Sequence, residues 1–356
     1  MFCLSGCASR PENVFLAAGN VDVPGASRVD MLVATTRRPA TIAGEMFGGD
    51  RGEPGFANIE ISIPPDKVRK IGEVQWPKKM PADPATEFTT IRATVLSKEQ
   101  VIGAFHARVV KAPGRGVLVF VHGYNNRFDD AAFRFAQIAH DSGSQAVPVL
   151  FTWPSRGKTS AYAYDRESAN YSRDALEKLL DYFIRDQSVG EISILAHSMG
   201  NWVTIEALRQ MAIRNGRVSA KIKNIMLASP DVDVDVFRMQ MAAMGPNHPR
   251  FTLFVSDDDK ALAASRWFWG STDRLGSINP DAEPYNSYLH KDGIDVVNLS
   301  KVKSDDRMNH GKFAQSPEVV RLIGRQLAGG QPITDQSVTL ADQIVAIPAA
   351  VIRPLQ

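Results

Sequence analysis

Cysteine is missing from the body of this chain. Both of its cysteines, Cys3 and Cys7, fall within the first ten of 356 residues. Everything downstream is therefore without a disulfide, a thiol nucleophile or a cysteine-bound metal. Charge of one sign is also scarce. The 41 Lys and Arg nearly cancel the 39 Asp and Glu, leaving a net charge of +2, so no nucleic-acid surface and no strong steering of an acidic substrate is expected. No apolar run reaches the ~18–20 residues that span a bilayer, and there is no internal repeat. What remains, 44% hydrophobic and 22% charged residues, is ordinary globular composition. The length allows one large α/β domain with extensions, or two domains.

The N-terminus carries its own signal. Leu4-Ser5-Gly6-Cys7 matches a bacterial lipobox, in which lipid is attached to the cysteine after signal cleavage. This predicts lipidation at Cys7 and a membrane-anchored protein of the cell envelope that faces the periplasm. The charged and apolar stretches of a signal peptide would then lie upstream. The alternative is a cytoplasmic protein whose N-terminus happens to hold two cysteines. Residues 1–27, small, polar and rich in Gly and Pro, are expected as a tether, residues 28–328 as the folded domain and residues 329–356 as a tail. Within the tail, Leu340 to Ile347 fits a short amphipathic helix, more simply docked or frayed than in contact with a membrane.

Strand and helix signals alternate along the domain. Val29 to Thr36 reads as a first strand, and Ala57 to Ile63 alternates with period two, as an edge strand does. Prolines 64, 65, 77, 81 and 84 argue against regular structure up to about residue 90. Two strand-like runs follow, near 88–96 and 101–110. From Gly116 the pattern changes. Val117 to Val121 is a continuous apolar strand of the kind buried on both faces of a parallel sheet. A helix from Asp129 to His140, a strand over Ala146 to Phe151, and a helix striped by Leu176, Leu179, Leu180, Phe183 and Ile184 come next. Strands at Glu191 to Leu195, Ile222 to Ala228, Phe251 to Val255 and Ile294 to Leu299 lead to a closing helix, Ser316 to Leu327. Such alternation implies right-handed crossovers and a mostly parallel central sheet with helices on both faces.

One turn in this series bears chemistry. Ala196-His197-Ser198-Met199-Gly200 joins the Glu191 strand to a helix that opens at Asn201. A serine on a tight strand-to-helix turn stands at a helix N-terminus, where free N–H groups stabilise developing negative charge. This resembles the nucleophile elbow of the α/β-hydrolases, with Ala196 in place of the first glycine. A serine hydroxyl needs a base, and the base needs an orienting carboxylate. In this fold they follow in the order serine, acid, histidine. Of the histidines after the serine, His310 lies in the loop between the last strand and the last helix, where the base belongs. His290 precedes the last strand, and His248 precedes every late acid candidate but Asp231, Asp233 and Asp235. For the acid, Asp257, Asp258 and Asp259 follow the strand ending at Val255, and Asp259 is furthest along the loop. Any of the three also suits a helix N-cap. Asp231, Asp233 and Asp235 compete from the preceding strand. Their spacing lacks the glycine and glutamate of a calcium loop, so no metal is expected.

His122-Gly123-Tyr124-Asn125 ends the first strong strand. The N–H groups of Tyr124 and Met199 are expected to form the oxyanion hole, with His122 structural. Trp153, at the end of another strand, and His197 are expected to line the substrate pocket. Trp267-Phe268-Trp269 reads as core packing, or else as the wall of an acyl pocket or a lid anchor. Gly270 to Gly293, rich in Pro, Asn, Asp and Ser, is expected to cover the site.

Taken together, Val119 to Asn125, Phe151 to Ser155, Ala196 to Gly200 and Leu227 to Asp233 resemble a bacterial α/β-hydrolase family of esterase/lipase superfamily enzymes, a domain of unknown function, over about residues 29 to 327. The resemblance implies a Ser-Asp-His hydrolase with Ser198 as nucleophile and His310 as base, and no particular substrate. The reading is a serine hydrolase that cleaves small-molecule or lipid carboxylic esters through an acyl-enzyme, with Ser198, Asp259 and His310 as triad, no cofactor and no nucleic-acid partner. Its alternatives are an inactive hydrolase fold used for binding or envelope assembly, and an acyltransferase. Oligomeric state is not readable from the sequence.

Overall fold

The computed structural model describes residues 11–17, 22–42, 44–268, 270–329 and 345–347. Cys3 and Cys7 lie outside these residues, as does Trp269. A ten-stranded sheet organises the chain. It begins with β1 (Ser27–Pro39), β2 (Phe47–Ile63) and β3 (Thr89–Leu96), followed by α1 (Lys98–Val109). The central part is β4 (Gly116–Val121), α2 (Phe128–Asp141), β5 (Val147–Thr152), α3 (Tyr162–Arg185), β6 (Glu191–His197), α4 (Gly200–Asn215), β7 (Ile222–Ala228), α5 (Val234–Met244) and β8 (Arg250–Val255). The chain closes with α6 (Lys260–Phe268), α7 (Tyr285–Lys291), β9 (Asp295–Asn298), α8 (Lys312–Gln315), α9 (Pro317–Gly329) and β10 (Val345–Ile347).

The strand order is β10-β9-β8-β7-β6-β4-β5-β1-β2-β3. Strands β1, β5, β4, β6, β7, β8 and β9 run parallel, and β2, β3 and β10 join antiparallel at the two ends. Parallel strands need both faces covered, which is why Val117 to Val121 is continuously apolar and wholly buried. One face packs on α1, α3, α4 and α5 through residues such as Phe105, Leu180, Val203 and Phe237. The other packs on α2 and α9 through Phe133, Phe135, Val319 and Ile323. The parallel sheet flanked by helices is thus the expected α/β-hydrolase architecture.

Several local expectations are corrected. Residues 101–110 are helix, not strand. Ser97 caps the helix reciprocally with Gln100, and Val101, Phe105 and Val109, four residues apart, face one core. Strand β2 is not an edge, because β3 pairs along its outer side. Part of the expected tether is docked. Val14 and Phe15 are buried, Phe15 packs against Phe128 and Phe133, and Thr90 Oγ1 donates to the Val14 carbonyl. In the tail, Val345–Ile347 pairs with β9 rather than continuing a helix, while 340–344 lie outside the described residues. The Gly270 to Gly293 segment is anchored at Leu275 and Gly276 to the loops that follow β7 and β8. Leu275 is fully buried and its N–H donates to the Val232 carbonyl, while the Ser256 N–H donates to the Gly276 carbonyl, so these two residues are tucked between the ends of β7 and β8. Among the described residues no helix is long and apolar enough to cross a membrane.

Phe120 of β4 is buried and stacks on Phe135 of α2 with ring centroids 5.2 Å apart. Phe120→Ala is expected to cost about 3–5 kcal/mol of stability, read by chemical denaturation.

Candidate active site

The elbow between β6 and α4 is strained and firmly held. Ser198 has φ of 53°, a left-handed conformation that a residue with a Cβ rarely adopts. Its N–H donates to the Ala228 carbonyl at 2.9 Å. Its own carbonyl accepts from the backbone of Asn201 at 3.1 Å, the side chain of Asn201 at 2.8 Å and the N–H of Asp231 at 3.3 Å. Strain of this kind persists only where the surroundings over-determine it. Glycine is required at two neighbouring positions. A Cβ at Gly200 would run into the carbonyls of Val121 and His122, and one at Gly123 would stand 2.7 Å from the Cβ of Ser198. The elbow and the loop after β4 are therefore pressed together, backbone to backbone. Asn125, Ser229 and Asn309, on three surrounding loops, also have positive φ.

Acid and base candidates meet across two loops. Asp259 Oδ2 lies 2.7 Å from His310 Nδ1, with the aspartate side chain wholly buried. The other oxygen of Asp259 accepts from the N–H groups of Ala261 and Leu262, each at 3.0 Å. One carboxylate thus caps α6 and holds the imidazole. Burial pulls the His310 ring toward its neutral form, but the charge and hydrogen bond of Asp259, with Asp231 and Asp306 further off, outweigh it and raise its pKa above the ordinary 6.5. The other two aspartates of the run are occupied differently. Asp258 pairs with the buried Lys312 at 2.7 Å and accepts from Asn309 at 2.9 Å. Burial opposes its charge, yet the Lys312 and Ser256 contacts hold its pKa below the usual carboxylate value. Asp257 is exposed, and its N–H donates to Ser300 Oγ.

The loop that carries His310 is itself tied down. Asp306 accepts from the N–H groups of Met308, His310 and Gly311, and the Met308 carbonyl accepts from Lys260 N–H at 2.9 Å. The competing aspartates after β7 are engaged elsewhere. Asp231 accepts from Tyr162 and Ser265, each at 2.6 Å, and Asp233 caps α5. His248 Nδ1 is 2.8 Å from the Pro249 carbonyl, and His290 sits on α7.

A family model described as "Alpha/beta hydrolase of unknown function (DUF900)" matches residues 97–326. The chain belongs to this family. One curated relative, the uncharacterized protein alr1448 of Nostoc sp. (strain PCC 7120), is 25% identical over 167 residues, covering 39% of this chain and 44% of the relative. The chain thus spans less than half the length of that relative. A solved structure described as brefeldin A esterase, a bacterial homologue of human hormone sensitive lipase, is 12% identical with a TM-score of 0.39, covering 89% of this chain and 81% of that one. At that score the likeness is too loose to carry either fold or chemistry.

In this member of the family the Tyr124 loop is braced by residues that no sequence motif indicated. Arg37, from β1, is buried and donates to Thr152 Oγ1, to the carbonyls of Gly48, Ser155 and Asn126, and toward His122 Nε2. Burial lowers its pKa to about 10, against the pull of nearby acids led by Asp165. Asp165, from α3, accepts from Ser155 and from the N–H groups of Asn125 and Arg156, and burial raises its pKa. Among the described residues no hydrogen bond reaches the N–H of Tyr124 or of Met199.

Three pocket and packing expectations change. Trp153 is fully buried rather than lining a pocket. Its ring stacks on His122 at 4.9 Å and its Nε1–H donates to the His122 carbonyl. His197 packs between His310 and Phe313, with Nε2 3.2 Å from the His310 carbonyl, so it supports the base loop. Burial and the neighbouring His310 charge hold its pKa well below 6.5, so the neutral ring donates from Nε2. Trp267 and Phe268 are not core, being 81% and 55% exposed. Phe268 lies 5.5 Å from Tyr162, whose ring in turn meets Tyr124 at 5.0 Å. His122 takes the tautomer its neighbours dictate. Trp153 N–H donates to Nε2 and Nδ1–H donates to the Gly123 carbonyl, so the ring is neutral and burial keeps it so. Among the described residues no group of three His, Cys, Asp or Glu side chains is arranged to hold a metal.

Lys312→Ala would remove the charge partner of the half-exposed Asp258, which keeps Ser256 and Asn309, and one of the two donors to the Leu299 carbonyl, which keeps the Val302 N–H. A loss of about 2–3 kcal/mol is expected, below the ~3–5 of a fully buried pair because Asp258 keeps contact with water. Thermal unfolding of the variant checks it.

Proposed function

We propose that this hydrolase cleaves carboxylic esters through an acyl-enzyme on Ser198. The observation that carries the reading is the 2.7 Å pair of His310 Nδ1 and Asp259 Oδ2, on loops at the same sheet edge as a serine with φ of 53°. With Nδ1–H donated to Asp259, the basic nitrogen left to the imidazole is Nε2. In the proposed reaction Ser198 Oγ bonds to the ester carbon while its proton passes to His310 Nε2. Negative charge gathers on the former carbonyl oxygen, toward which the N–H groups of Tyr124 and Met199 would donate. Such a donor is worth about 10²–10³ in rate. Collapse expels the alcohol, which takes the proton from His310. Water then repeats the sequence at the acyl carbon and frees the acid. Asp259 keeps the tautomer and stabilises the imidazolium. Acyl transfer would share the same acyl-enzyme, and product analysis with added alcohols separates the two. Placement at the cell envelope rests on the Leu4 to Cys7 pattern alone.

A panel of short and long p-nitrophenyl esters tests the reading, together with labelling by a fluorophosphonate, which reacts only with an activated serine. Wild-type protein is expected to hydrolyse the esters and take the label, and Ser198→Ala to do neither. Equal hydrolysis by both would refute the proposal.

The pH profile offers a separate check. The base acts when neutral, so activity is expected to rise with pH through the His310 pKa, at a midpoint above 6.5. Asp259→Asn removes the charge that holds that pKa up. Its residual activity is expected to fall by a factor on the order of 10⁴, with the midpoint moved to lower pH.

A further inference from the structure

A cavity lies on the face of the sheet covered by α1 and α3. It opens between the N-terminal strands and α3 and has a volume of about 790 Å³. One wall belongs to strands that precede the matched family region, with Leu32, Ala34, Phe56 and Leu96. The opposite wall belongs to the family region, with Phe105, Phe151, Leu179 and Phe183. Its floor is rigid, because Leu32 to Thr35 pair residue by residue with Val149 to Thr152. Its size falls within the range of small-molecule sites, about 300–1,000 Å³.

Polar groups are placed unevenly in it. At the inner end, Arg37 and Thr35 already direct their donors at protein acceptors. The interior thus offers alkyl and aromatic surface and rewards a ligand that buries methylenes. At the exposed edge stand two lysines, Lys98 at the start of α1 and Lys178 on α3. Neither forms a salt bridge among the described residues, and Glu53 is the one acid in the lining. An apolar trough with two exposed ammonium groups at its lip complements a molecule with a long alkyl chain and a single anionic head.

We propose that this cavity binds a fatty-acid anion, its chain laid between the sheet and α3 and its carboxylate held by Lys98 and Lys178. The proposal does not depend on the esterase reading. Calorimetric titration of the full chain with palmitate, kept below its micelle concentration, tests it. Saturable binding of one palmitate per chain is expected, and Ser198→Ala is expected to bind equally. Ala175→Trp, which fills the cavity from α3, is expected to weaken binding at least about tenfold with the melting temperature preserved. Val101→Trp fills it from α1, should the first variant fail to fold. Lys98→Ala combined with Lys178→Ala is expected to weaken palmitate about tenfold while leaving hexadecanol unaffected. Any of four results would overturn the proposal. These are no saturable uptake, undiminished uptake by a filled variant, loss of palmitate and hexadecanol alike in the lysine variant, or loss of uptake in Ser198→Ala. A chain that dimerises through this face and takes up no palmitate would assign the cavity to a second copy instead.

Discussion

The carboxylate of Asp259 joins the two halves of the site. One oxygen accepts two N–H groups at the start of α6, and the other holds His310. Carboxylates favour helix N-termini because they satisfy donors the helix cannot. Here the same cap fixes the direction in which the second oxygen points. The helix thus positions the acid, and the acid positions the imidazole. Around this link, Asp258, Lys312, Asn309 and Asp306 tie the β8 loop to the loop before α8. Three consecutive aspartates consequently differ in every respect that matters. Asp257 faces solvent, Asp258 neutralises a buried lysine, and Asp259 serves helix and histidine together.

A second brace works from the opposite side. Arg37 and Asp165 arrive from β1 and α3 and grip the loop that carries Tyr124. A buried guanidinium is tolerated because its donors meet carbonyls, a hydroxyl and an imidazole. The strands outside the matched family region are therefore more than an appendage. They supply Arg37 to the site and one wall of the apolar cavity.

Much of the fold was legible along the chain. Continuous apolar strands alternating with amphipathic helices indicated a parallel sheet, and the strand–serine–helix sequence marked the elbow. Failures occurred where local pattern competes with context. Residues 101–110 hold enough β-branched and aromatic side chains to resemble a strand, but the Ser97–Gln100 cap and the four-residue spacing of Val101, Phe105 and Val109 favour a helix. The aromatic pair Trp267-Phe268 resembled core, yet α6 buries only Leu262 and Ser265. Trp153 resembled a pocket residue because it ends a strand at the right edge. Its ring instead turned inward to stack on His122.

By itself the sequence determined which turn holds the serine, because strand and helix periodicity are local properties that meet at Ala196 to Gly200. It also limited the base to a late loop. It left the acid open among neighbouring aspartates, since N-cap preference is the same for each. Only the tertiary structure decided that Asp259 faces His310, that Lys312 takes Asp258, and that Arg37 reaches His122 from 85 residues away. Those outcomes depend on which side chains the sheet brings together across its strands, and burial then enforces the pairing, because a charge removed from water must find a partner.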